Sequence, residues 1–246
     1  MKISEGIFLV GSGQAGFMIS NKSDCHVYLI EGSDGHVMID GGVGLEEERL
    51  IDNIVKDGID PSEIKYMLLT HTHSDHAAGA IWFQKNYGVK IYCSSAEAEY
   101  LRSNDQMELG LDIAIKDGIY PEDYRFPNCN PDVELEDGAE MTFGDISIKA
   151  IHTPGHSLGS MCYLMKKDGR TCLFSGDVVV HGGKLMFLNC FGSVMADMRK
   201  SMPKLGGLGV EELYPGHGCF LIEGGQDHID IAIENLSHLS PPANAF

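Results

Sequence analysis

Basic residues are scarce in this chain. Eighteen Lys and Arg stand against 36 Asp and Glu in 246 residues, a formal net charge of −18, so most of the exterior repels phosphate backbones and anionic membrane surfaces. We therefore expect neither nucleic acid nor a membrane as partner. No run approaches the roughly 18 consecutive apolar residues of a membrane span. The start, Met1-Lys2-Ile3-Ser4-Glu5-Gly6, lacks the basic segment and apolar core of a secretory leader, and a cytoplasmic location is the expectation. Cys-x-x-Cys spacing is missing as well. Seven scattered cysteines, an odd number, argue against both a disulfide framework and a thiolate zinc site and leave reduced, mostly buried thiols. Cys162 and Cys172 flank the turn Lys166-Lys167-Asp168-Gly169, but no bridge is expected between them. Internal repeats, low-complexity runs and linkers are also lacking, so one domain spanning 1–246 is the simpler reading.

Glycine, by contrast, is plentiful. Thirty glycines, with 43% hydrophobic and 22% charged residues, describe a globular chain with many tight turns rather than long helices. Short β-branched or aromatic runs at 6–10, 16–20, 25–31 and 36–40 read as strands paired locally into an antiparallel sheet. Residues 45–57 carry a helical period that Gly58 stops. A strand at 66–70, a helix at 76–87 and a strand at 90–93 follow. Residues 95–130, with Pro121 and Pro127 as breakers, read as an inserted helical and loop segment that caps or lids the molecule. Strands resume at 140–143, 146–151, 161–165, 171–175 and 212–214, with helices near 194–202 and 227–239. Two strand sets, each followed by helices, imply an α/β (α+β) fold with sheet packed on sheet and helices outside.

The chemistry concentrates in Thr70-His71-Thr72-His73-Ser74-Asp75-His76. An extended loop leaving an apolar strand puts His71 and His73 on one side, while Asp75 and His76 open the next helix, which Ala77-Ala78-Gly79-Ala80 lets pack closely on the sheet. Imidazole and carboxylate without thiolate suit zinc, iron or manganese. His156, Asp177 and His217 each follow a strand beside a glycine, where backbone can turn sharply toward one point. Asp40, ending a strand beside two glycines, is read as orienting the metal loop rather than binding metal. His152 is read as a supporting or merely local histidine, and His181 as exposed loop. His26, His36, His228 and His238 are read as surface or turn residues.

Together, Ile39-Asp40-Gly41-Gly42, the 71–76 cluster, Thr153-Pro154-Gly155-His156, Ser175-Gly176-Asp177 and Pro215-Gly216-His217 resemble the metallo-β-lactamase-fold superfamily of metal-dependent hydrolases, over about residues 7–236. The resemblance implies a four-layer αββα sandwich with the site at one edge of the two sheets. It implies two divalent metal ions, zinc first with iron or manganese also accommodated. His71, His73 and His156 would hold one ion and Asp75, His76 and His217 the other, with Asp177 as the bridge. It also implies that Asp75 serves catalysis by orienting the attacking hydroxide or moving its proton.

Gly11-Ser12-Gly13-Gln14-Ala15-Gly16 matches a dinucleotide fingerprint, with Glu31 at a plausible distance. The sequence after it runs into a turn and a further strand, so no helix N-terminus awaits a pyrophosphate, and a glycine-rich hairpin is expected instead.

The expected function is a dinuclear hydrolase that turns a metal-bridging hydroxide on a small-molecule ester, thioester or lactone. The alternatives are an iron-dependent sulfur dioxygenase-like oxidoreductase, or a β-lactam or phosphodiester hydrolase of the same fold. The position at which related acyl-homoserine lactonases carry tyrosine is Val180 here, which weakens the lactone reading. Segments 95–130 and 181–193 are expected to wall the pocket, with Met107, Met186, Phe187, Leu188 and Phe191 receiving an apolar moiety. A homo-oligomer is compatible with the sequence.

Overall fold

Side chains alternate across a strand with period two, and the N-terminal strands use both faces. In the computed structural model, which describes residues 1–103 and 106–245, Ile7, Leu9, Tyr28, Ile30, Val37 and Ile39 turn toward a second sheet. Phe8, Val10, Val27, Leu29 and Met38 turn outward toward helices. These residues belong to β2 (Ile7–Gly11), β3 (Val27–Ile30) and β4 (His36–Ile39), which with β1 (Lys2–Ser4), β5 (Ile64–Leu68), β6 (Lys90–Ser94) and β7 (Val133–Leu135) form a sheet in that order. Pairing is antiparallel from β1 to β4 and parallel from β4 to β7. The second sheet runs β12 (Glu212–Pro215), β11 (Arg170–Gly176), β10 (Met161–Lys167), β9 (Ile146–His152) and β8 (Glu140–Phe143), with only β11 and β12 parallel.

Helices complete four layers. Outside the first sheet lie α1 (Glu47–Lys56), α2 (Ser74–Ala77), α3 (Ala80–Tyr87), α4 (Ala98–Ser103) and α5 (Leu111–Lys116), which contribute Leu50, Ile54, Ala77, Phe83, Leu101 and Leu111 to the outer core. Outside the second lie α6 (Met195–Ser201) and α7 (Gly225–Ser237), with Met198, Ile229, Ala232 and Leu236 on Cys162, Leu173 and Leu213. This is the αββα sandwich that the strand and helix runs imply. No helix among the described residues is long and apolar enough to cross a membrane.

Several local expectations need correction. Residues 16–20 form turns and bends, not a strand, because the amides of Phe17 and Met18 bond within the loop, to Ser12 Oγ and the Gly13 carbonyl. The predicted helix over 76–87 is two helices, since the Gly79 amide leaves the helical ladder to bond the Gly42 carbonyl at 3.0 Å. Strands β1 and β7 were not anticipated, being only three residues each. Cys162 and Cys172 lie in cores on opposite faces of their sheet, and every cysteine is free. The inserted segment comprises α4, α5 and loops; its residues 104 and 105 lie outside the described residues.

Two tyrosine hydroxyls tie the sheets together where the chain leaves them for the site. Tyr163 on β10 donates to the Leu69 carbonyl at 2.6 Å, just before His71. Tyr28 on β3 donates to the Pro215 carbonyl at 2.7 Å, just before His217. Both are fully buried. Tyr163→Phe keeps the ring but deprives a buried carbonyl of its donor, so it should lower stability by about 1–3 kcal/mol without changing the fold. For a chain of this size that is a fall in Tm of several degrees, measurable by calorimetry; an unchanged Tm would show that water replaces the hydroxyl.

Candidate metal centre

All seven expected donors come from loops or a helix start at the exits of β5, β9, β11 and β12. The β5 exit is shaped by Asp40, which follows β4 with a positive φ of 62°. Its carboxylate accepts from the Thr70 amide at 2.7 Å and the Thr70 hydroxyl at 2.8 Å. It also faces His76 Nδ1 at 2.8 Å. The α2–α3 junction sits tightly on this loop. A Cβ at Gly79 would stand 2.0 Å from the Gly41 carbonyl oxygen, so only glycine permits the approach, and it brings His76 beneath the site.

The neighbours settle which imidazole nitrogen faces inward. Thr70 Oγ1 gives its proton to Asp40 and so accepts from His71 Nδ1, at 3.1 Å; His156 Nδ1 donates to the Met186 carbonyl at 2.7 Å. Both Nε2 atoms are therefore left with lone pairs, pointing at one spot. His156 Nε2 lies 3.2 Å from His71 Nε2 and 3.0 Å from His73 Nδ1. Beside this group, His217 Nε2 and His76 Nε2 lie 3.1 and 3.6 Å from Asp75 Oδ2. Asp177 joins the two groups. Its Oδ2 is 3.5 Å from both His156 Nε2 and His217 Nε2, and its Oδ1 is 3.5 Å from His76 Nε2. Gly216 has to lack a side chain here, since its Cβ would meet Asp177 Oδ1 at 2.3 Å.

A cation resolves what the residues alone leave strained. Lone pairs of His71 and His156 converge with no proton between them, and His76 Nε2 and Asp177 Oδ1 are buried without a hydrogen-bond partner, a costly state that ligation removes. Groups of three donors within 4.8 Å include His71, His73 and His156; His71, His76 and Asp177; and Asp75, His76 and His217. Burial drives His71 well below the usual imidazole range and brings His73 and His156 down to about 4, so all three are neutral near pH 7 and ready to ligate. Burial opposes the charges of Asp75 and Asp177, but His76 and His217 outweigh it. Asp75 falls to about 2 and Asp177 lies well below the carboxylate range. Burial likewise opposes charge on His76 and His217, yet the acidic neighbours raise both; the second group attracts positive charge, whether proton or metal. The residues fit a pair of divalent ions.

Other histidines fall outside the cluster. His152, half-buried, bonds the Leu158 carbonyl through Nε2 at 3.0 Å, and exposed His181 lies tilted against His228, ring centroids 5.0 Å apart. His26 and His36 correct the surface reading. His36 is mostly buried at the start of β4. His26 is buried beside the centre, its backbone amide bonded to the Gly216 carbonyl and its ring 6.5 Å from that of His217. Met186, expected as pocket wall, is buried and serves His156 through its carbonyl, whereas Met107 and Phe191 are exposed. Glu97 and Tyr120, which reach this centre from the inserted segment, were missed; their partners lie 25 or more residues away, and no local pattern marks them. The glycine-rich loop at 11–16 leads into no helix.

Comparison with known proteins agrees with this geometry. The family model of the metallo-beta-lactamase superfamily matches residues 21–217. The chain belongs to that superfamily. It is a hydrolase of the metallo-β-lactamase fold. It is 31% identical over 200 residues to the acyl-coenzyme A thioesterase MBLAC2 of Bos taurus, covering 76% of this chain and 68% of the relative. It is 33% identical over 138 residues to the "Probable polyketide biosynthesis zinc-dependent hydrolase BaeB" of Bacillus velezensis, covering 56% and 48%. Among solved structures, a HARLDQ-motif metallo-β-lactamase of Cronobacter sakazakii superposes with a TM-score of 0.75 at 20% identity, covering 96% and 95%. BJP-1, a subclass B3 metallo-β-lactamase of Bradyrhizobium japonicum, superposes with 0.72 at 23%, covering 94% and 88%.

Asp40→Asn would set an amide N–H2 either against the Thr70 amide or, flipped, against both the Thr70 hydroxyl and His76 Nδ1, so the Thr70 loop or His76 should lose its orientation. Zinc affinity, measured by chelator competition, should fall about 10- to 100-fold. His152→Ala should leave zinc affinity within about threefold of the unaltered protein, and a loss matching that of Asp40→Asn would mean that His152 supports the centre.

Proposed function

We propose that this hydrolase holds two divalent ions, zinc first, and cleaves a small-molecule thioester, with esters and lactones as chemically neighbouring substrates. The observation that carries the reading is Asp177, whose two oxygens face both donor groups at once. His71, His73 and His156 would hold one ion, Asp75, His76 and His217 the other, with Asp177 shared. Bound there, a pair of ions supplies Lewis acidity for a carbonyl oxygen and lowers the pKa of a water toward roughly 7. The chain's own part is to keep three imidazoles neutral by burial and to hold His71, His76 and His156 in one tautomer through Thr70, Asp40 and Met186. Asp75, ionised and less buried than the other donors, is placed to accept a proton from the attacking water or pass it to the leaving thiol.

Thioester chemistry is favoured over β-lactams because the 31% identical relatives are named acyl-coenzyme A thioesterases, while the lactamase structures share 20–23% identity and speak for the fold. A thiol is also a better leaving group than an alcohol, asking little proton donation of a site rich in acceptors. A panel of thioester, ester, lactone, β-lactam and phosphodiester substrates tests the reading. The kcat/KM for a thioester should exceed the others by at least about tenfold; a β-lactam or phosphodiester in first place, or O2 consumption in place of hydrolysis, would sink it. Elemental analysis should find close to two ions per chain. Asp177→Ala should lose at least one of them and lower kcat by about 100-fold or more, and near-normal turnover with both ions retained would remove Asp177 from the shared position.

A further inference from the structure

The inserted segment does more than cover the molecule. Glu97, the residue before α4, is fully buried although it is a carboxylate. Its Oε2 accepts from the Thr72 amide at 2.8 Å and the Thr72 hydroxyl at 3.0 Å, and its Oε1 accepts from the Gly159 amide at 2.7 Å. Thr72 separates His71 from His73, and Gly159 lies three residues past His156. One carboxylate thus fastens together the two loops that carry the three-histidine group, whose donor atoms lie within 4.8 Å of one another.

A second side chain of the same segment reaches the other group. The Tyr120 hydroxyl donates to Asp75 Oδ1 at 3.2 Å, leaving Oδ2 to face His76 and His217. The phenol is itself held. Its ring stacks on Tyr124 at 4.9 Å, the Tyr124 hydroxyl donates to the Val43 carbonyl at 2.8 Å, and the Ile119 carbonyl accepts from Ser23 Oγ at 2.9 Å.

We propose that the inserted segment supports the two half-sites separately, with Glu97 positioning the three-histidine group and Tyr120 positioning Asp75. The inference rests on the two-ion reading. Its physical basis is geometric. Glu97 is the common acceptor for donors on both loops, so its loss frees His156 to move relative to His71 and His73. Tyr120 occupies one oxygen of Asp75, so its loss frees that carboxylate to rotate.

The test is zinc titration of the metal-free protein by chelator competition, with anomalous scattering from crystals grown at limiting zinc to assign occupancy to each half-site. Glu97→Gln places an amide N–H2 against one of the backbone N–H groups. It should weaken binding at His71, His73 and His156 by about 10- to 100-fold and leave the other half-site within about threefold. Tyr120→Phe should do the reverse. Thr72→Val, which deletes one of the three Glu97 contacts, should weaken the three-histidine site a few-fold and serves if Glu97→Gln does not fold. Equal weakening of both half-sites by each variant, or unchanged zinc binding with only a lower Tm of the metal-free protein, overturns the proposal. An unaltered chain that saturates with one ion sinks the two-ion reading; a Tyr120→Phe isotherm identical to it then removes the Tyr120 half, while the Glu97 half is still decided by its own variants.

Discussion

Convergence of unshielded lone pairs is the constraint on which this structure turns. His71 and His156 have committed their Nδ1 protons to Thr70 and to the Met186 carbonyl, so their Nε2 atoms meet at 3.2 Å with nothing between them. An assembly of that kind repels itself unless a cation is added or the backbone is held from outside. The sandwich provides the second condition. Ligand loops leave four neighbouring strand ends, and the strand ends are fixed by sheet hydrogen bonds and by burial on both faces, so displacement of one donor would have to break packed core rather than merely bend a loop.

The supports form a connected set. Asp40 joins Thr70 to His76, Tyr163 holds Leu69, Tyr28 holds Pro215, and Gly79 and Gly216 give the close approaches that a Cβ would block. Each acts on a donor residue itself or on an atom within three residues of one. Precision at the centre is therefore set by groups that touch neither ion nor substrate, which is why the inner faces of the two sheets matter to the chemistry as well as to stability.

How much of this the chain reveals beforehand depends on the range of each interaction. The apolar runs of β2 to β4 and of β10 to β12 and the alternation of β9 are local, and sheet packed on sheet with helices outside follows from them. The His71 to His76 cluster is local as well, and the later donors are marked by glycines at strand ends. What was not legible depends on contacts across the fold. His26 looks like any histidine at a strand start until Gly216 and Gly218 arrive from nearly 200 residues away. The break between α2 and α3 needs the Gly42 carbonyl, which a helical period cannot register. Glu97 and Tyr120 lie in a segment whose irregular pattern reads as cover, and the donors and acceptor that give them meaning sit on other loops.

Charge adds a final element. The chain carries −18 overall, yet its centre sets five imidazoles, three of them neutral by burial, against the carboxylates of Asp75 and Asp177 with Asp40 behind His76, and two divalent ions would offset that negative charge locally. At physiological ionic strength the Debye length is about 8 Å, so the acidic exterior and the centre are felt separately by a molecule in solution. The thioester proposed above would need to bring only one electrophilic carbon within a Debye length of the centre and could leave the rest of itself in solvent. The compact donor cluster, set at one edge of an acidic chain, is thus consistent with the proposed substrate, which is small at its reacting end.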